Sequence, residues 1–280
     1  MPPSARWPVA LSRRWVAPCG LEISYRRAGT GDALILLHGG FGFDSRVWRP
    51  QFDELADEFT IVAWDAPGCG GSEDPPVSFR MADYADCLAG FLTDLGLDRA
   101  HVLGISFGGA LAIALHDRHP TLTRSLILAG AYAGWAGSLP PEEVQRRLRR
   151  IAEDITRPPE DWLADYLPGL LTESAPRDMV EHTLALMSGI HPEASLTMLR
   201  AMAEADLRDI LPNVDVPTLV LHGDLDARAP LAVGLELHER IRGSRLAVLA
   251  GVGHLSNVEA AKEFNRAVRL FAHAVRTDHL

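Results

Sequence analysis

The sequence predicts an α/β fold: a mostly parallel, eight-stranded sheet with helices on both faces and a block of helices inserted into it. Three observations predict it. Short apolar runs alternate with helical periodicity up to residue 129 and again from residue 216, the order that builds parallel sheets. Central runs such as Ala33-Leu-Ile-Leu-Leu37 and Thr60-Ile-Val-Ala-Trp64 are continuous rather than alternating, as in strands buried on both faces. Between residues 132 and 211 the alternation stops and only helical runs occur. The expected domains are therefore a core of residues 1–131 and 212–280 and a helical cap, or lid, of residues 132–211.

In chain order, residues 14–27 read as two short strands around a turn at Pro18-Cys19-Gly20. The strand of residues 33–37 ends in His38-Gly39-Gly40-Phe41-Gly42, a glycine-rich loop whose N–H groups can face a cavity. A helix is expected over residues 48–58 and a strand over 60–64, followed by the turn-rich loop Asp65-Ala-Pro-Gly-Cys-Gly-Gly-Ser72. There Asp65 is assigned a structural role. An amphipathic helix spans residues 81–95 and stops at Gly96. The apolar run 99–105, the helix that follows it to about Pro120, and a strand over 124–129 complete the first half. Four helical runs follow, at 141–155, 160–167, 177–188 and 192–205, punctuated by prolines. The block of residues 132–211 carries Trp135, Trp162, Tyr166, Met179, Met187, Met198 and Met202, most of them expected to pack it to itself or to the core and a minority to line a pocket. Strands over 216–222 and 245–249 and helices over 231–242 and 258–275 close the chain.

Composition narrows the function classes. A chain of 280 residues with 47% hydrophobic residues buries a sizeable core. Net charge is −10 with both signs mixed along the chain, which argues against nucleic acid and against an anionic membrane as partner. No apolar run reaches the roughly 18 residues that span a membrane. Cys19, Cys69 and Cys87 have no metal or redox spacing, and their odd number argues against a disulfide framework and for a reducing compartment. Residues 1–6 lack the apolar core of a signal peptide, so a cytoplasmic location is expected. Neither a metal nor a cofactor is expected.

The chain is organised around Gly104-Ile-Ser106-Phe-Gly108-Gly109, set between an apolar run and a helix. A serine at the apex of a sharp strand-to-helix turn takes a strained backbone, and the residues two before and two after it have no room for a β-carbon. The competing reading is an ordinary helix-capping serine. A serine hydroxyl needs a base, and the base an orienting acid. His254, presented by a glycine-rich loop after the last strand, is the base of choice among the eleven histidines. His38 lies on the same rim, where a structural hydrogen bond is expected. Asp224 and Asp226 are the candidate acids, and Asp226 is favoured because it lies deeper in its loop. All these loops follow carboxyl ends of strands, where open α/β sheets bind ligands.

With Ser106, Asp226 and His254 in that order, the chain resembles the α/β-hydrolase fold superfamily from Ala33 to the last helix. The matching motifs are His38-Gly39-Gly40, Asp65-x-x-Gly68-x-Gly70-x-Ser72, Gly104-x-Ser106-x-Gly108-Gly109, Gly223-Asp-x-Asp226 and Gly253-His254. The resemblance implies an oxyanion hole made of the Phe107 and Gly40 amides, with Phe41 as the alternative second donor. Read from the residues themselves, the expected pocket is drawn from Phe41, Phe107, Trp135, Trp162, Tyr166 and Leu255. Ser106 sets aside branches with aspartate at that position, and Leu255 contrasts with the tryptophan frequent in carbon–carbon hydrolases. The run His254-Leu-Ser-Asn-Val-Glu259, with Glu263-Phe264-Asn265, resembles the 3-oxoadipate enol-lactonase branch.

The expected activity is hydrolysis of a small-molecule carboxylic ester or lactone through an acyl-enzyme on Ser106. The alternatives are a cofactor-free carbon–carbon hydrolase, perhydrolase or hydroxynitrile lyase using the same three residues, or a ligand sensor with slow hydrolysis. One chain leaves the oligomeric state open.

Overall fold

A computed structural model describes residues 9–16 and 19–277. The expectations that rest on residues 1–6 and on Pro18 lie outside these. Eight strands form one sheet: β1 (Leu11–Val16), β2 (Leu21–Ala28), β3 (Asp32–Leu37), β4 (Phe59–Trp64), β5 (Ala100–Ile105), β6 (Thr123–Ala129), β7 (Thr218–Gly223) and β8 (Arg245–Leu249). Their order is β1-β2-β4-β3-β5-β6-β7-β8. β1–β2 and β2–β4 are antiparallel and every other pair is parallel. The apolar runs explain who sits where. The side chains of Leu34 to Leu37 and of Val102 and Leu103 are fully buried in the centre. β1 is an edge, with Trp15 61% exposed.

The register matters more for function than the order does. Leu37 pairs with Gly104, Ile105 with Ala129, Ala129 with Leu221 and Gly223 with Leu249. The chain therefore leaves β3, β5, β6, β7 and β8 nearly level along one rim, and the loops that follow converge there.

Helices α1 (Arg49–Leu55), α2 (Met81–Asp94) and α3 (Phe107–Arg118) come from the first half of the chain, and α7 (Leu231–Arg240), α8 (Ser256–Glu259) and α9 (Ala261–Thr277) from its end. Between β6 and β7 the described elements are all helical: α4 (Pro141–Asp154), α5 (Arg177–Met187) and α6 (Pro192–Glu204), with short 3-10 turns. The run expected as a helix at 160–167 is instead two 3-10 turns, Pro159–Asp161 and Leu163–Gly169. Pro159 opens the first, and Pro168, which has no N–H to donate, lies inside the second. The single C-terminal helix expected is broken at Ala260. There Glu259 turns its carboxylate to the Gly253 amide (2.7 Å) and the Thr172 amide (2.9 Å).

The cysteine expectation is overturned as well. Cys19 and Cys87 form a disulfide, with Cα atoms 5.1 Å apart, tying the β1–β2 turn to α2. Cys69 is free and buried. An odd cysteine count does not prevent one pair from meeting across 68 residues of sequence. The inference of a reducing compartment from that count loses its basis. No described helix is long and apolar enough to cross a membrane.

Candidate active site

Ser106 sits between β5 and α3 with φ 56° and ψ −115°. Among the described residues only Ser106 and Phe41 combine a side chain with a positive φ, and both lie on the carboxyl rim. The neighbouring glycines show why the turn closes. A β-carbon at Gly104 would stand 2.0 Å from the Gly108 carbonyl oxygen, and one at Gly108 would stand 2.1 Å from that of Leu37. Gly109 is equally confined, by Ala131 at 2.4 Å. The Ser106 side chain caps no amide of α3, so the helix-capping alternative is not what the hydroxyl does.

Asp226 and His254 meet across two loops. His254 Nδ1–H donates to Asp226 Oδ2 at 2.8 Å, with the residues only 2% and 4% exposed. Asp226 Oδ1 accepts from the Arg228 and Ala229 amides at 2.9 and 2.7 Å. Burial pushes the Asp226 carboxyl up. The charge and hydrogen bond of His254 and the Ala229 amide outweigh it, and the group titrates below the ordinary aspartate range. An ionised Asp226 holds the proton of His254 on Nδ1 and leaves Nε2 as a free base. Nε2 is buried and has no hydrogen-bond partner, so no hydrogen bond joins it to Ser106. Gly130, which follows β6, makes room for the pair: a β-carbon there would lie 3.1 Å from both Asp226 Oδ2 and His254 Nδ1.

The other rim candidates do structural work. Asp224 Oδ1 accepts from the Gly251 amide at 2.6 Å and so ties the β7 and β8 loops together without reaching His254. His38 Nδ1–H donates to Gly39 O at 2.7 Å and Nε2 accepts from the Ala66 amide at 2.9 Å. Asp65 accepts from the Ser45 and Gly71 amides at 2.8 and 3.0 Å. One residue was missed on sequence grounds: His222 Nε2–H donates to Ala229 O at 2.7 Å and lies 3.6 Å from Asp226 Oδ2, beneath the acid.

The loop after β3 passes directly against the serine. A β-carbon at Gly39 would lie 3.4 Å from Ser106 Cβ and 3.9 Å from its Oγ. Gly40 faces Leu199 and Met198 of α6. Phe107 opens α3, so its amide has no carbonyl one turn back to bond.

The six expected pocket residues are all buried but do not share a surface. Phe41 and Tyr166, with ring centroids 4.5 Å apart, line a cavity of about 270 Å³ beside the Asp226 loop. Trp162 packs behind Tyr166, its Nε1–H bonded to Arg157 O. Trp135 lies under Arg147 and pairs its amide with Met202 O. The Phe107 ring packs edge-on to Tyr84 of α2 at 5.2 Å and is not among the residues that line this cavity. The Leu255 amide bonds Leu170 O and anchors the His254 loop to the helical segment. The rest of the cavity wall is largely arginine: Arg146, Arg147, Arg150 and Arg228. No motif marks these residues; only the spacing of the first three along one helix and the position of Arg228 two places after Asp226 could have drawn attention to them.

The family model of the alpha/beta hydrolase fold matches residues 32–261. A 2-hydroxy-6-oxo-2,4-heptadienoate hydrolase of Pseudomonas putida is 30% identical over 92% of this chain and 95% of its own length. Among solved structures, a malate-bound thermophilic esterase from Thermogutta terrifontis is similar with TM-score 0.86 and 30% identity, covering 95% of this chain and 99% of that one. An enol-lactonase from Burkholderia xenovorans superposes with TM-score 0.81 at 28% identity, over 94% of this chain and all of its own.

Proposed function

The chain belongs to the α/β-hydrolase fold family, and we propose that within it the protein is a serine hydrolase that cleaves a carboxylic ester or lactone through an acyl-enzyme on Ser106. The observation that carries the reading is the buried Asp226–His254 hydrogen bond, with the second ring nitrogen left free on the rim that holds Ser106.

His254 Nε2 takes the Ser106 proton as Oγ attacks the acyl carbonyl. The amides of Phe107 and of Gly40 or Phe41 hold the oxyanion, each donor being worth about 10²–10³ in rate. His254 returns the proton to the leaving oxygen and the ester C–O bond breaks, leaving acyl-Ser106. Water then gives its proton to His254 and attacks; the acid departs and Ser106 recovers its proton. Asp226 keeps the ring oriented and balances the imidazolium in each half. Ser106 and His254 close to hydrogen-bond distance when substrate is bound, since such contacts tighten only in the working complex. The segment 132–211 acts as the cap over this site, on a core of residues 1–131 and 212–280.

A panel of p-nitrophenyl esters and lactones, with Ser106→Ala as control, tests the reading. Hydrolysis by the wild-type chain and its loss in the folded variant are expected; activity retained by Ser106→Ala would overturn it.

A further inference from the structure

A chain of net charge −10 gathers four arginines and one acidic side chain, Asp165, around the cavity beside the Asp226 loop. Three of the four are already engaged. Arg146 and Arg147 share Glu143, each at 2.7 Å. Arg150 lies between Asp154 at 3.6 Å and Asp165 at 3.9 Å, over the Tyr166 ring. Arg228 differs. Its guanidinium has no carboxylate or carbonyl partner among the described residues, and its carbon stands 4.3 Å over the Phe41 ring and 6.0 Å from that of Tyr166. Its main chain is held firmly: the amide donates to Asp226 Oδ1, and the carbonyl accepts from Arg147 Nη2 at 3.0 Å and from the Tyr132 hydroxyl. A half-buried fork of donors thus lies over the Phe41 ring with no carboxylate or carbonyl bonded to it among the described residues. Burial draws its pKa down to about 10, and the neighbouring Arg147 charge adds to that.

The cavity is also lined by neighbours in sequence of the proposed catalytic residues. Phe41 belongs to the loop against Ser106, and Ala227 and Arg228 directly follow Asp226. A planar guanidinium with two free N–H groups on one side matches a carboxylate, which it binds bidentately.

We propose that this cavity takes a carboxylate carried by the substrate, with Arg228 as its receptor, so that the enzyme prefers esters or lactones whose acyl part ends in a carboxylate. A monoester of a short dicarboxylic acid is the simplest member of that class. The surrounding Arg147 and Arg150 supply positive potential, while Phe41 and Tyr166 cover the short apolar link between the charged end and the reacting carbonyl. This substrate class rests on the hydrolase reading above; the anion site itself does not.

The test compares p-nitrophenyl hydrogen glutarate with p-nitrophenyl valerate, which match in chain length and differ in the terminal charge. The wild-type chain is expected to show kcat/KM at least about 10-fold higher on the glutarate ester. Arg228→Met is expected to lower that value by about 10- to 100-fold, chiefly through KM, and to cost the valerate ester far less. Arg228→Lys keeps the charge without the fork and falls between. Calorimetric titration of glutarate into Ser106→Ala protein reads the site without turnover: binding is expected, weakened at least 10-fold when Arg228→Met is added. Preference for valerate, equal losses on both esters, or glutarate binding indifferent to Arg228 would each overturn the proposal. Hydrolysis that survives Ser106→Ala would instead sink the hydrolase reading and leave the glutarate titration to decide the anion site.

Discussion

The carboxyl rim of the sheet and the helical segment between β6 and β7 hold their side chains by different means. On the rim, backbone does the holding: Gly104, Gly108 and Gly109 sit where no β-carbon fits, Gly130 admits the Asp226–His254 pair, and Asp226 is fixed by two amides. In the helical segment, side chains hold side chains. Arg146, Arg147, Arg150 and Arg157 of α4 and its flank pair with Glu143, Asp154 and Asp165. The difference teaches how each region keeps its groups in place: the Asp226 carboxylate is set by main-chain amides, while the α4 arginines around the cavity are set by carboxylates of their own segment.

The largest effect should separate the two aspartates of one loop. Asp226→Asn is expected to lower kcat about 10⁴-fold, because the amide stabilises the wrong tautomer of His254. Asp224→Asn, which keeps an oxygen able to accept from the Gly251 and Val252 amides and loses only the charge, is expected to cost less than about 10-fold. Steady-state kinetics on a single ester decides it; similar losses would mean that the acid has been misassigned.

Next comes a comparison of glycines. Gly108→Ala should destabilise by about 3 kcal/mol or more, since the new methyl meets a backbone oxygen that cannot move away. Gly169→Ala, in the helical segment, finds its nearest neighbour at 4.0 Å and should change stability by less than about 1 kcal/mol. Denaturant melts of both variants test the contrast between rim and segment.

The smallest effect is a pH dependence of stability centred on the rim. Burial holds His38 and His222 below the ordinary histidine range. The unfolded chain therefore takes up their protons first as pH falls below about 6.5. Stability is full above that pH and declines on acidification, by up to about 1.4 kcal/mol per pH unit for each histidine. Asp226, whose carboxyl is held below the ordinary aspartate range by the charge and hydrogen bond of His254, keeps its stabilisation until pH falls below about 4. Melting temperatures at pH 7.5, 6.5 and 5.5 should fall monotonically; a flat profile would contradict the neutral buried histidines.

These contrasts also explain what the amino-acid sequence discloses. Continuous apolar runs such as Leu34–Leu37 could be placed because strands buried on both faces need little context. Ser106, Asp226 and His254 stood out because strand ends and glycines mark the rim. Tertiary facts stayed hidden. The Cys19–Cys87 pair depends on the approach of α2 to the first hairpin. The direction of the Phe107 ring depends on Tyr84, and the 3-10 turns around Tyr166 on prolines within a run whose apolar spacing still reads as helical. Arg228 has no motif beyond its place two after Asp226: what sets it apart is a guanidinium with no carboxylate or carbonyl partner among the described residues.

The central claim is that Ser106 is a nucleophile activated by His254. Treatment of the full-length protein with a fluorophosphonate, followed by intact-mass and peptide mass spectrometry, tests it most directly. The account predicts one adduct, on the peptide containing Ser106, with labelling slowed at least 100-fold in His254→Ala. An adduct elsewhere, or full-rate labelling of Ser106 without His254, would contradict it.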